Sequence, residues 1–388
     1  MTTIDNNQAE AMLAAAFATD HQSNEGSNET GAATGGDPPP GVPARPGYRY
    51  LVPFAEAADD FAAQAKTLTT GERIYTGLPQ FDDAMRGLGP KQLMIVQGYA
   101  HSGKTVFVTE MMRHNHEARM VLFTADEDRV LMLTKLASLV HGVSAEELER
   151  RIANGDTEAM AMVRSTATDH FPNLAVFDNV TTIDTMRRCL DECRDHWGGK
   201  EQLTVFDYAN LLQYDGDVVA KIDALKGFGK DTGTPLCVMH QSSRTKGSDG
   251  AYVGIDSGSH GGEQQATFLV GVRRKKNQYG GMVRELQDKL QFASRNKEII
   301  QDQLTEAEWE LERHQNTLTI NLVKNKRPPG HLVDDVDFTL DQHTGRIQEC
   351  DMPFVARGNE RQYGAAAHMP PPPPPDTDNY GPDDEGMF

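Results

Sequence analysis

Residues 91–112 read KQLMIVQGYAHSGKTVFVTEMM, and the changes of character along this stretch decide the fold. Leu93, Met94, Ile95 and Val96 form an apolar run with strand character, a glycine-bounded loop follows, and VFVTEMM after it has helical character. Gly98, Gly103, Lys104 and Thr105 fit the spacing G-x-x-x-x-G-K-[ST] of a phosphate-binding loop. Such a loop wraps a triphosphate with backbone N–H groups, so bulky side chains are excluded where the chain approaches the phosphates. The expected nucleotide contacts are Gly98, Tyr99, Ala100, His101, Ser102, Gly103, Lys104 and Thr105. Lys104 would reach the β- and γ-phosphates and Thr105 would ligate Mg²⁺. The strand before and the helix after argue against a chance match.

Working outward, strands and helices alternate. Strands are expected at 119–124, 173–178, 202–207, 235–240, 267–273 and 317–324, with two more at 333–340 and 346–350; helices are expected at 129–141, 144–153, 182–197 and 218–228. Ser144 followed by Glu147 reads as a capping box. The fold class is therefore α/β, a mostly parallel central sheet with helices on both faces. Residues 71–357 form this motor-sized domain. Residues 49–70 hold a short Ala-rich helix, and 1–48 and 358–388 read as disordered tails, the second with six consecutive prolines, Pro370–Pro375. Residues 279–316 form a charged helical insertion with apolar residues at 3-4 spacing from Val283 to Leu311. As one rod it would span about 50 Å, too far for neighbouring strand ends, so the spacing predicts a helical hairpin turning near 293–297. It reads equally as a partner contact or as a solvated decoration.

The net charge of −19 is unevenly placed, with −5 in residues 1–45, −5 in 369–388 and −9 between them, and it does not exclude a local basic lining for nucleic acid. Cys189, Cys193, Cys237 and Cys350 show no paired framework, which places the chain in a reducing cytoplasm. Cys189, Cys193 and His196 share a helical face, but a fourth ligand at metal-site spacing is missing, and packing is the simpler reading. No apolar run approaches the ~20 residues of a membrane span.

Three further signals accompany the phosphate loop. Asp207 ends the apolar strand QLTVFD, where a carboxylate can hold the Mg²⁺ water shell opposite Thr105. FTADED ends the strand after the loop's helix, placing Asp126 or Glu127 beside the γ-phosphate as the base that orients water; capping of the next helix is the alternative role for these acids. Gln241, in VMHQSSR, ends a buried strand and is placed to sense the γ-phosphate.

The order and wording of these motifs resemble the DnaB-type replicative helicases among the RecA-like ATPases. TGLPQFDDAMRGLGPKQLMIVQGYAHSGKT, MVLFTADED, LTVFDYANLLQ, TPLCVMHQSSR, SGSHGGEQQATFLVGVRR and VKNKRPPG carry the resemblance, which runs from about Ile74 to Ile347 and is broken by the insertion. It implies ATP and Mg²⁺, a homo-oligomeric ring that is commonly a hexamer, and a nucleotide between subunits. Lys324 with either Lys326 or Arg327 would reach the neighbour's γ-phosphate. Loops in the ring's hole, about 214–221 and 243–262, would grip single-stranded DNA through Arg244, Lys246, Ser257 and Gly258. Arg273–Lys276 is the densest basic run and either contacts nucleic acid or borders the insertion. The family's N-terminal primase-binding domain has no room here, which suggests a phage-encoded or plasmid-type form, cytoplasmic, and in the host's cytoplasm if phage-encoded. Replisome proteins would meet the insertion or the proline-rich tail. The competing readings are a RecA- or RadA-like recombinase or recombination mediator, and a non-enzymatic replisome scaffold; intact Lys104, Thr105 and Asp207 argue against the scaffold.

Overall fold

The architecture follows from strands whose successive side chains enter two different cores. In the computed structural model, which describes residues 54, 57–68, 70–242, 262–293 and 295–349, strand β1 (Leu93–Gly98) is buried throughout. Its Met94 and Val96 join one cluster and its Leu93 and Ile95 the other. β2 (Met120–Thr124) divides the same way, Met120 and Leu122 against Val121 and Phe123. β4 (Leu203–Asp207) and β5 (Leu236–Gln241) repeat the pattern. Strands buried on both faces carry continuous apolar runs, as parallel sheets covered by helices require.

One face is covered by α3 (Lys104–His114) and α4 (Arg129–His141), through Phe107, Met111, Met132 and Leu136. The other is covered by α7 (Ile183–Trp197) and α8 (Val218–Thr232), through Met186, Leu190, Ile222 and Phe228. Cys189 and Cys193 belong to that second core, whereas His196 is exposed, so the three do not converge. Burial of each large side chain here contributes on the order of 2 kcal/mol.

The sheet has nine strands in the order β3-β2-β4-β5-β1-β6-β7-β8-β9, with β3 at Leu174–Asp178, β6 at Phe268–Arg274, β7 at Thr317–Asn325, β8 at Val333–Leu340 and β9 at Ile347–Glu349. The six strands from β3 to β6 are parallel, and β7, β8 and β9 add on antiparallel. The remaining helices of this part are α2 (Pro79–Met85), α5 (Ala145–Ala153) and α6 (Thr157–Ser165), which runs into a single π-turn, Thr166–His170. Ser144 caps α5 by accepting from the Glu147 amide, 3.2 Å, while the Glu147 carboxylate pairs with Arg150.

Between β6 and β7 stand α9 (Lys275–Phe292) and α10 (Lys297–Arg313), four residues apart in the chain and packed on each other through Val283, Leu304 and Ala307. The insertion is thus two helices of about 27 Å each, and it starts four residues earlier than the sequence pattern indicated. At its base Tyr279 stacks on His314, 5.4 Å between rings.

The chain divides at Thr70/Gly71 into two units. In the first, α1 (Ala57–Lys66) presents exposed Phe61. Residues 1–48 and 358–388, together with Arg244, Lys246, Ser257 and Gly258, lie outside the described residues.

Candidate active site

The parallel register brings the sequence-selected groups to one edge of the sheet. Thr124 at the end of β2 is level with Asp207 at the end of β4, and the Ala125 amide donates to the Asp207 carbonyl at 3.0 Å. Gly98 at the end of β1 is level with Gln241 at the end of β5. Along the edge therefore come Asp126, Asp207, Gln241 and the phosphate loop, each at the carboxyl end of its strand, where open α/β sheets bind ligands.

The loop is built for close approach. A Cβ on Gly98 would lie 2.3 Å from both Ser102 Oγ and the Val272 carbonyl oxygen, so no side chain fits. Gly103 caps α3 at φ 98°, where its added Cβ would strike Leu318 at 2.6 Å. His101 also has positive φ, at 56°. Tyr99 is buried, and Ser102 Oγ is buried without a hydrogen-bond partner among the described residues. Lys104 Nζ donates to the carbonyls of Gly98 (3.1 Å) and Tyr99 (2.8 Å), folded back on the loop it would leave to meet phosphate. These features fit a polyphosphate: a backbone cradle that excludes Cβ atoms, an ammonium at its mouth and a hydroxyl awaiting a partner.

The electrostatics agree with a site awaiting charge. Burial holds Lys104 down to about 8, against the opposing pull of Asp207 and Asp126. Burial, then Glu127 and Asp126, push Asp207 up to about 6, with Lys104 and Lys135 offsetting part of the rise. A divalent cation beside Asp207 would stabilise its charged form. With Thr105 at the first turn of α3, Asp207 supplies the oxygen set that such a hard ion prefers.

The two candidate acids differ in surroundings. Glu127 is half-buried and ion-paired with Lys135 of α4. Asp126 is exposed at the strand end and is one of the charges felt by both Lys104 and Asp207. Asp128 is the helix cap, accepting from the Leu131 amide at 2.8 Å. The ion pair that occupies Glu127 had no sequence signal beyond the spacing of Lys135 on the following helix.

Lys326 and Arg327 lie at the other end of the sheet, and Lys324 stands partway along it, level through Leu269 with Ile95. Lys324 is level with Leu269, and the Lys326 amide donates to the Thr267 carbonyl at 2.9 Å, whereas the phosphate loop abuts Val272. At about 3.3 Å per residue, Lys326 stands roughly 15 Å below the loop along the strand direction. Lys324 Nζ (2.8 Å) and Lys326 Nζ (3.1 Å) both donate to the Gln264 carbonyl. Arg327 turns inward: Nη1 donates to the carbonyls of Met85 (2.6 Å), Arg86 (3.0 Å) and Gly87 (3.2 Å), and Nη2 to Gln92 Oε1 at 3.1 Å. Its guanidinium also lies over the Phe268 ring, and burial, then Arg73 and Arg86, lower it to about 10.

The basic run Arg273–Lys276 is committed locally. Arg273 pairs with Asp335 and Lys275 with Asp337; Arg274 donates to the Gln315 carbonyl and Lys276 to Gln342 Oε1. It borders the insertion and buttresses it. Within 214–221, Asp217 caps α8, Lys221 donates to the Asn210 carbonyl and Tyr214 is exposed.

Comparison with known proteins agrees with this geometry. The DnaB-like helicase C terminal domain family matches residues 73–251. A solved DnaB-like replicative helicase, described with its interactions with primase, superposes with TM-score 0.56 at 14% identity, covering 89% of this chain and 72% of that one. The ATPase domain of G40P superposes with TM-score 0.55 at 14% identity, covering 76% of this chain and 99% of that one. No curated protein sequence matches the chain. Residues 73–251 are thus similar to the C-terminal domain of the DnaB-like helicases, and the chain shares the α/β fold of these solved structures.

Proposed function

We propose that this chain is an ATP-driven DNA helicase of phage-type replication that works as a ring, commonly a hexamer, in the cytoplasm of a host. Each nucleotide would be held between the phosphate loop of one subunit and the lysines of the next. The observation that carries the reading is the separation, within one chain, of the phosphate loop at the Gly98 end of β1 from Lys326, which bonds to Thr267 beside Leu93 at the other end of that strand. A single chain cannot close a site over that distance, whereas a head-to-tail ring brings the two ends together.

In this reading the backbone of 98–103 and Lys104 bind the phosphates, and Thr105 and Asp207 hold Mg²⁺, whose charge offsets that of the phosphates. Asp126 orients the attacking water, since Glu127 is engaged by Lys135. Gln241 reports the γ-phosphate to the segment that follows it. Lys324 and Lys326 are the cations supplied in trans; Arg327 anchors their strand to α2. Arg244, Lys246, Ser257 and Gly258 would meet single-stranded DNA in the ring's hole, and the hairpin or the proline-rich tail would meet replisome partners.

The test measures ATP hydrolysis and fork unwinding, with and without single-stranded DNA, for the wild type and Lys104→Ala. DNA-stimulated hydrolysis with unwinding, both lost in the variant, is expected. Stimulated hydrolysis without unwinding would point to a strand-pairing recombinase, and absence of hydrolysis to a scaffold.

A further inference from the structure

A two-helix hairpin can shield only part of its own seam. In α9 and α10 the mutual contact buries Val283, Leu304 and Ala307, but Leu286, Leu290 and Leu311 stay half-buried. On one side of the seam runs a cleft of about 410 Å³, walled by Tyr279, Met282 and Leu286 from α9 and by Gln303 and Ala307 from α10. Its outer end is apolar as well. Phe292 lies three residues beyond Lys289, another lining residue, and Ile299 lies four before Gln303, so helical spacing carries the two walls onward. Met282, Phe292 and Ile299 are all exposed, and Phe292, at 83%, leaves a whole ring in water. From Tyr279 to Phe292 the groove extends roughly 20 Å, nearly four helical turns. Those dimensions match a third helix laid along the seam.

The charge of the groove's outer wall selects among occupants. Residues 298–312 hold six acids and no Lys or Arg. The carboxylates of Glu298, Asp302, Glu308 and Glu312 are exposed and form no ion pair among the described residues. Asp302 follows Ile299 by three residues, which sets it on the rim of the groove, and Glu298 stands one turn before it. A nucleic-acid strand would be repelled by this rim. The chain's own ends do not complement it, since residues 1–44 and 369–388 contain no Lys or Arg. A second hairpin would bring the same acidic α10. What complements the groove is an apolar stripe flanked by cations.

We propose that this groove is the docking site for a basic amphipathic helix of a partner protein, which lays its apolar stripe along the seam of α9 and α10 and sets Lys or Arg against Glu298 and Asp302. This rests on the partner role given to the hairpin above, not on ATP hydrolysis.

The experiment uses full-length protein and a synthetic peptide of about four helical turns, with Leu at helical spacing and Lys and Arg on both flanks. A second peptide carries Glu in place of every Lys and Arg, and a third keeps the basic composition with the Leu spacing scrambled. Fluorescence anisotropy reads binding, and hydrogen–deuterium exchange reads its place. The basic amphipathic peptide is expected to bind, less tightly in high salt, and to slow exchange in α9 and α10 while α7 is unchanged. Two double variants alter exposed positions only: Met282→Asp with Ile299→Asp, and Glu298→Lys with Asp302→Lys. Each is expected to weaken binding at least ~10-fold, and the charge-reversed variant should gain affinity for the acidic peptide. If the scrambled peptide binds equally well, or if either variant binds the basic peptide as wild type does, the groove assignment is overturned. If the acidic peptide slows exchange in the wild-type hairpin as well as the basic one does, the hairpin keeps its partner role and the basic-helix proposal is overturned. Exchange in α9 and α10 that slows with protein concentration alone would make a second copy the occupant and overturn the proposal. If no peptide slows exchange in the hairpin, the groove and the hairpin's partner role both fall, while the ring-ATPase reading, measured separately as DNA-stimulated turnover, is untouched.

Discussion

Lys326 and Arg327 are adjacent in sequence and face opposite ways. Arg327 closes over the carbonyl end of α2, where it satisfies three backbone acceptors; Lys326 stays exposed beside Lys324. Arg327→Ala is expected to destabilise the fold by about 2 kcal/mol, since charge-assisted bonds to partly buried acceptors are lost. Lys326→Ala should leave the melting temperature within about 1 °C, as surface substitutions do, and abolish ATP turnover; thermal melts and ATPase assays on the two variants separate the roles. Asp207 supports a second expectation. Its folded pKa of about 6 lies above the ordinary carboxylate value, so the ionised form costs stability. That cost is absent below about pH 4, grows as pH rises to about 6 and is constant beyond. Asp207→Asn should therefore stabilise the nucleotide-free protein at pH 7.5 by on the order of 2 kcal/mol, lose that advantage at pH 4 and lose hydrolysis throughout; urea titrations at the two pH values check it. The positions of the loop, Asp207 and Gln241 were legible in the sequence because they fall at strand ends. The choices between Asp126 and Glu127, and between Lys326 and Arg327, were not, because each depends on where a distant partner lies: Lys135 for Glu127, and the α2 carbonyls for Arg327.

At the scale of elements, the insertion is a small body with its own core. Val283, Leu304 and Ala307 form a cluster separate from the two cores on the sheet. Leu304→Ala is expected to loosen the hairpin by about 2 kcal/mol and to speed amide exchange in α9 and α10 while leaving exchange in β1 and β4 unchanged, a pattern that hydrogen–deuterium exchange resolves. The hairpin was legible because one long rod could not return the chain to β7, whose Leu318 is level with Arg274 of β6. Helix α6 was missed, although Asp156 caps it by accepting from the Glu158 and Ala159 amides. Its segment buries only Ala159 completely, so the apolar periodicity that marks the other helices is faint there.

Over the whole molecule, the alternation of strands and helices announced a parallel sheet, but not the order of its strands. That order sets β5 beside β1 and β2 beside β4, pairings between segments more than 80 residues apart that no local pattern encodes. The between-subunit site proposed above would make a distinct demand on concentration. Specific ATPase activity should fall on dilution as rings dissociate, and should be restored by concentration without any change in ATP affinity at the phosphate loop; activity per chain followed across a dilution series alongside mass photometry checks this. The sheet has one more consequence. Close-packed interiors compress little and transmit strain, so the buried strands act as a stiff plate with Lys104 near one rim and Lys326 near the other. Such a plate works as a gauge block: the spacing between successive nucleotides around a ring would be set by strand length, and a displacement at one rim would reach the other as rotation of the whole body.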